Sequence, residues 1–325
     1  VRVFGWAADA SACGYYRLGL PIDALRSRGH EALVSTVLPE EWADADIIVG
    51  QRVCLPGPSA TWQRLASEGR ALVYEIDDDL FDLHPTNPAR QVFADAEVQR
   101  RIRENAAAAS LVTVTTEALA AVMREINPRV AVLPNAIPGW LLERTRPHRE
   151  RLTIGWAGSA THHADVAEVA GHLRRFLARH PDVAMHLMGT DYTAALGLPT
   201  DRVRYTPWAI DVAAYLRMVD FDIGLAPLAP HAFNRSKSAL RPLELGALGI
   251  PVVASEYGPY ERFVRHGETG FLVRRDHEWS THLRTLAADA ELREQMGTKA
   301  RALAAEHAIE ATVGAWEEAY RALLQ

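Results

Sequence analysis

The sequence predicts an α/β protein built from two parallel sheets in tandem. Short apolar runs alternate with amphipathic stretches, the pattern of a parallel sheet covered by helices on both faces. The alternation stops at a polar, Arg-rich segment punctuated by prolines and then starts again. The length of 325 residues exceeds the usual size of one compact domain, so two units of roughly 150 residues each are expected.

Taken in order, the first half opens on strand VRVFGW with helix PIDALRSRG, then strand ADIIVG with helix TWQRLASEG. Strand ALVYEID follows, then strand LVTVTT with helix EALAAVMREI, then strand VAVLPN. The connection is LLERTRPHRER. The second half begins with strand LTIGWAG and helix ADVAEVAGHLRRFLARH, then strands VAMHLMG and DRVRYTPW, helix DVAAYLRMV and strand DIGLAPL. A helix from about Ser236 to Leu248 is closed by Gly249 and followed by strand PVVAS, and a turn GETG precedes FLV. From Trp279 to Leu324 the chain is Ala-rich and helical, with breaks predicted near Gly297 and Gly314.

Composition is that of a soluble globular protein, with 48% hydrophobic and 23% charged residues. A net charge of −6 gives no general pull toward nucleic acid or an anionic membrane, while leaving room for a local basic patch. Cys13 and Cys54 are the only cysteines, so neither a disulfide framework nor a structural zinc site is expected. The chain opens on a strand rather than a leader and has no apolar run long enough to span a bilayer. A cytoplasmic protein without integral membrane contact is the expectation.

The densest chemistry lies at NRSKSALRPLELG. In a helix, Lys237, Arg241 and Glu244 share one face while Leu240, Leu243 and Ala247 share another. Two cations at a helix start, where free N–H groups also point, suit a diphosphate. Glu244, one turn further in, suits a ribose hydroxyl. Positive charge is otherwise carried almost wholly by arginine, and the only other lysine is Lys299. Pro242, which lacks an N–H, places the first turn between Ser236 and Arg241.

Open α/β sheets bind ligands at the C-terminal ends of their strands, so the loops there supply the other candidates. After the first strand, ADASACGYYRLGLP offers Gly14 for close backbone approach, Tyr15 and Tyr16, and Arg17 at a helix start. EIDDDLFDLHP gathers Glu75, Asp77, Asp78 and Asp79, which fit a base, a metal, or a polar loop capped by an Asp. IGWAGSATHHAD offers backbone N–H groups at Gly158 and Ser159, a cap at Thr161, and His162 or His163 as donors to a phosphate. Asp165 complements a helix N-terminus.

In chain order these pieces resemble retaining glycosyltransferases of the GT-B fold, of the group 1 type. The motifs are GYYRLGLPIDALRSRGHEA, EIDDDLFD, VTVTTEAL, VLPNAIP, IGWAGSATHHADV, KSALRPLELGALGIPVVAS and HGETGFLV. IGW-G-S-TH--D together with NRSKS-L---E is similar to a bacterial and phage-borne subgroup. The resemblance implies two facing Rossmann-like domains with a cleft between them: residues 1–138 on the acceptor side, a linker over 139–151, and a donor domain over 152–308. A C-terminal helix over 309–325 would return to the first domain.

The resemblance further implies a nucleotide-diphosphate sugar donor of UDP or GDP type, no cofactor and no metal. Lys237 and Arg241 correspond to the family's diphosphate cations and Glu244 to its ribose-binding glutamate, with Gly158, Ser159, His162, Ser236 and Ser238 around the donor. Ser236 stands where the family often has a second glutamate that contacts the sugar. Asp77, Asp78 and Asp79 are candidates to orient the acceptor hydroxyl, and Gly14 to Arg17 form an acceptor or phosphate loop. The acceptor stays open among a glycan, a natural product and a modified DNA base. A sugar-nucleotide epimerase and a non-catalytic nucleotide-sugar-binding module are the competing readings; an NAD-dependent enzyme is disfavoured by the lack of GxGxxG.

Overall fold

The computed structural model describes residues 1–145, 150–209 and 211–325. Two six-stranded sheets, parallel throughout, account for the two halves. The first contains β1 (Arg2–Trp6), β2 (Glu31–Ser35), β3 (Ile47–Gln51), β4 (Leu72–Glu75), β5 (Leu111–Val114) and β6 (Val130–Val132), in the order β2-β1-β3-β4-β5-β6. The second contains β7 (Thr153–Gly158), β8 (Ala184–Gly189), β9 (Val203–Pro207), β10 (Ile223–Ala226), β11 (Val252–Ser255) and β12 (Gly270–Val273), in the order β12-β11-β10-β7-β8-β9. Strand order reverses direction between β1 and β3 in one sheet and between β7 and β10 in the other. Each reversal leaves a crevice at the C-terminal strand ends.

Central strands such as β3, β4 and β5 are buried along their whole length, which is why they read as unbroken apolar runs. β2 escaped that reading. It is an edge strand in which only Ala32 is fully buried, and its sequence EALVS carries an apolar run of just three residues.

The helix Ile309–Arg321 returns to the first half, as the GT-B resemblance implies. Glu317 accepts from Arg28 Nε at 2.7 Å and pairs with His30 Nε2 at 3.0 Å, and Trp316 is buried. The fold is therefore GT-B: two Rossmann-like sheets across a cleft, tied by a crossing C-terminal helix. The predicted linker contains a short helix, Trp140–Glu143, and residues 146–149 of it lie outside the described residues. No helix among the described residues is long and apolar enough to cross a membrane.

Two expectations about helix ends need correction. Gly297 and Gly314 lie inside the helices Ala290–Ala305 and Ile309–Arg321, and the breaks fall at Asp289 and between Ala305 and Ile309. Gly297 is there for packing, because a Cβ would come within 2.2 Å of the Gly249 carbonyl oxygen. The helix expected from Ser236 to Leu248 is two helices, Ala232–Ser236 and Leu240–Ala247, with Lys237 extended between them (φ −59°, ψ 163°). A continuous helix would need the Ser236 carbonyl to accept from the Leu240 N–H. Instead it accepts from Thr116 Oγ1 of the first half at 2.8 Å.

Candidate functional site

The cleft between the sheets encloses a cavity of about 320 Å³ whose walls come from both halves. Its second-half wall centres on the helix Leu240–Ala247. Arg241 and Pro242 are the second and third residues of that helix, so proline falls where no intrahelical N–H bond is lost. Ala239 precedes it and provides no side-chain cap, leaving the first N–H groups open to a ligand.

Arg241 reaches across the end of β7. Its guanidinium lies 5.4 Å from the Trp156 ring and its Nη2 is 3.4 Å from His162 Nε2. Among the described residues no carboxylate pairs with it. Gly158 makes room for it, since a Cβ there would sit 2.6 Å from Arg241 Nη2. His162 is bonded through Nδ1 to Asp165 Oδ2 at 2.7 Å. Burial, helped by the Arg241 charge, holds its pKa down to about 3, so the ring is neutral. With Nδ1–H donated to the carboxylate, Nε2 is an acceptor that steadies Arg241 rather than a donor to a phosphate.

Asp165 is a hub more than a helix complement. Its Oδ1 accepts from the Ala229 N–H at 2.9 Å and from Asn234 Nδ2 at 2.6 Å. Burial works to raise its pKa, but the His162 bond and the backbone N–H outweigh it and the carboxyl stays ionised.

Glu244 lines the same wall and receives the Tyr16 hydroxyl from the first half. Burial raises its carboxyl to about 7, against the opposing pull of Tyr16 and Arg241. Lys237 lies 4.3 Å from the Phe233 ring, with Nζ 3.6 Å from Asp78 Oδ1 across the cleft. Burial raises the Asp78 pKa and Lys237 works against it. Ser238 Oγ accepts from Asn135 Nδ2 at 2.9 Å, a third bond between the halves.

The first-half wall is acidic. Asp77 and Asp78 both line the cavity, and among the described residues Asp77 Oδ1 is buried without a hydrogen-bond partner, 3.7 Å from Arg52 Nε. Arg52 follows β3 with a left-handed φ of 47°, a costly conformation for a non-glycine residue. It is held there by Asp9 Oδ2 at 2.6 Å.

Several predicted residues are engaged by other protein groups or lie outside the cavity. Arg17 is 1% exposed and donates to both Glu75 oxygens (2.7 and 3.1 Å), to the Leu133 carbonyl at 2.7 Å and to Asn135 Oδ1 at 2.9 Å. It touches the cavity but acts as a brace, with its guanidinium 4.8 Å from the Trp316 ring. Asp79 turns into its own loop, accepting from the Phe81 N–H at 3.1 Å, so Asp77 and Asp79 diverge instead of converging on a metal. Among the described residues, no three His, Cys, Asp or Glu side chains are grouped to hold a metal ion. Ser236 is buried, and neither it nor Tyr15 lines the cavity. Gly14 lets the chain pack on Asp9, whose carbonyl oxygen would lie 2.0 Å from a Cβ.

The cavity also holds residues that motif reading passed over. Trp208, 41% exposed, follows β9 and lies 5.5 Å from Tyr215, ring to ring. Asn135 ends the VLPN run, where an Asn after a proline at a strand end was the available signal. Tyr260 arrives from a separate helix, Pro259–Phe263, and nothing in the local sequence marks it.

A family model described as glycosyl transferases group 1 matches residues 151–289. No curated protein sequence matches the chain. Among solved structures, sucrose-phosphate synthase (tll1590) from Thermosynechococcus elongatus has a TM-score of 0.68 at 16% identity, covering 99% of this chain and 98% of that one. Anabaena Alr3699/HepE in complex with UDP and glucose has a TM-score of 0.68 at 15% identity, covering 99% of each chain. A glycosyltransferase from Rickettsia africae ESF-5 has a TM-score of 0.66 at 12% identity, covering 100% of this chain and 98% of that one. At these identities the likeness establishes the GT-B fold.

Proposed function

We propose that this chain is a glycosyltransferase of the bacterial and phage-borne group 1 type, transferring a sugar from a nucleotide-diphosphate sugar to an acceptor hydroxyl with retention. The observation that carries the reading is Arg241. It is a cation without a carboxylate partner among the described residues, placed at an uncapped helix start in an interdomain cleft, with Lys237 and Glu244 on the same wall. The family match over the second half and the UDP-bound relative make UDP the first nucleotide to test.

In this reading, residues 152–308 bind the donor, residues 1–138 face the acceptor, and the helical tail over 309–325 braces the two. Negative charge grows on the diphosphate as the glycosyl bond breaks. Lys237, Arg241 and the N–H groups at the start of Leu240–Ala247 stabilise it, strengthening as the charge develops. Glu244 holds the ribose, and Asp77 and Asp78 orient the acceptor hydroxyl from the opposite wall. The two cations and the helix start supply this stabilisation without a metal.

A thermal-shift screen of UDP- and GDP-sugars names the donor, since a ligand bound to the native state raises its stability. With the donor in hand, Lys237→Ala and Arg241→Ala abolish turnover. Gly158→Ala weakens donor binding, because its Cβ presses on both the Arg241 guanidinium and the buried Trp156 ring beneath it, and circular dichroism first checks that the variant is folded. If both cation variants turn over normally while Glu244→Ala alone is inactive, the leaving-group assignment is wrong. Conversion of donor alone into an isomerised sugar would support the epimerase reading instead.

A further inference from the structure

Four polar contacts tie the first half to one short segment, Ser236 to Glu244. Thr116 donates to the Ser236 carbonyl at 2.8 Å and Asn135 donates to Ser238 Oγ at 2.9 Å. The other two fall on groups assigned above to the nucleotide: the Tyr16 hydroxyl on Glu244 and the Asp78 carboxylate, 3.6 Å from Lys237. Their chemistry matches the ligand they face. A ribose offers Glu244 a hydroxyl donor, and a phenol is a hydroxyl donor. A diphosphate offers Lys237 an anionic oxygen, and a carboxylate offers the same.

The stand-ins are held firmly. Tyr16 is 2% exposed and lies edge-on to Tyr15, with ring centroids 5.1 Å apart, in a π-helical stretch, Tyr15–Gly19. Such stretches are frequent at functional sites. Asp78 belongs to the turn after β4, beside Asp77, whose Oδ1 has no hydrogen-bond partner among the described residues.

Resting on the donor-site reading, we propose that Tyr16 and Asp78 occupy the ribose and phosphate positions of the donor site in the nucleotide-free protein, and that the donor takes over both. Exchange frees the Asp78 carboxylate from Lys237 and leaves it facing the cavity, able to accept a hydrogen bond from the acceptor hydroxyl. Tyr16 and Asp78 are positioning residues that couple donor arrival to assembly of the acceptor side. Thr116–Ser236 and Asn135–Ser238 need no exchange and keep the halves in register. The exchange is of non-covalent contacts only, so no bond breaks and no proton leaves the pair of partners.

Each replaced contact offsets part of what the nucleotide gains, so removing a stand-in tightens binding of the matching ligand fragment. Calorimetric titration of the whole protein with UDP, uridine and pyrophosphate separates the two positions. Tyr16→Phe keeps the ring and should tighten UDP and uridine by roughly threefold to tenfold, the range for one hydrogen bond, and leave pyrophosphate unchanged. Asp78→Asn should tighten UDP and pyrophosphate and leave uridine unchanged. GDP and guanosine replace UDP and uridine if the donor screen selects guanine. If wild type binds the nucleotide and neither variant tightens it, or each shifts the wrong fragment, the exchange is refuted while the donor site stands. If wild type binds neither UDP nor GDP, the donor-site reading itself fails and takes this inference with it.

Discussion

Glu244 offers a test that needs no substrate. Its carboxyl is raised by burial from an ordinary 4.5 to about 7. At 1.36 kcal/mol per unit, that shift amounts to about 3 kcal/mol, an upper value because the side chain keeps some contact with the open cleft. The sign follows from which state holds the proton. Between the unfolded and folded values the unfolded chain has released its proton while the native protein retains it, so native stability falls as pH rises through that window. Above the folded value the whole cost is present.

Glu244→Gln keeps the shape and never ionises. Urea unfolding of wild type and variant at about pH 5 and about pH 8, followed by tryptophan fluorescence and circular dichroism, isolates the contribution of this one group. Relative to the variant, wild type should lose up to about 3 kcal/mol between the two conditions. A difference that is the same at both, or that grows in favour of wild type, would mean that the cleft does not desolvate this carboxylate. The reasoning about its burial would then fall.

Two further outcomes probe the scaffold. Glu75→Ala leaves the Arg17 guanidinium buried without its counter-ion, and unfolding experiments should show a loss of about 3–5 kcal/mol; an unchanged urea midpoint would show that Leu133, Asn135 and Trp316 suffice to hold it. The two glycines should behave oppositely: Gly297→Ala forces a Cβ against the Gly249 carbonyl and should cost about 1–3 kcal/mol. Gly314→Ala, which meets open space mid-helix, should gain about 0.5–1 kcal/mol, and thermal melts of the pair check both signs.

What was legible in the sequence follows from what each signal encodes. Apolar runs report strands buried on both faces, and β1, β3, β4, β5, β7 and β10 were readable on that ground; edge strands carry a weaker signal, so β6 and β9 were read while β2 was not. Spacing brought Lys237, Arg241 and Glu244 together, and the structure keeps them on one wall. Spacing could not reveal that Lys237 precedes the helix, because the cause is a bond from Thr116, 120 residues away.

The same limit governs chemical roles. Arg17 lies at a strand end where ligands bind, yet Glu75, 58 residues on, takes its fork. Asp79 belongs to the right loop, yet a backbone N–H two residues along draws it from the cleft. Tyr16 and Glu244 are 228 residues apart and meet only where the two halves face each other across the cleft. Local patterns determine which groups reach the rim of each sheet. Docking determines which of those groups are engaged by protein before any ligand arrives, and in this cleft Tyr16 and Asp78 already cover two of the proposed donor's three side-chain anchors, while among the described residues Arg241 receives no hydroxyl or carboxylate from the facing wall.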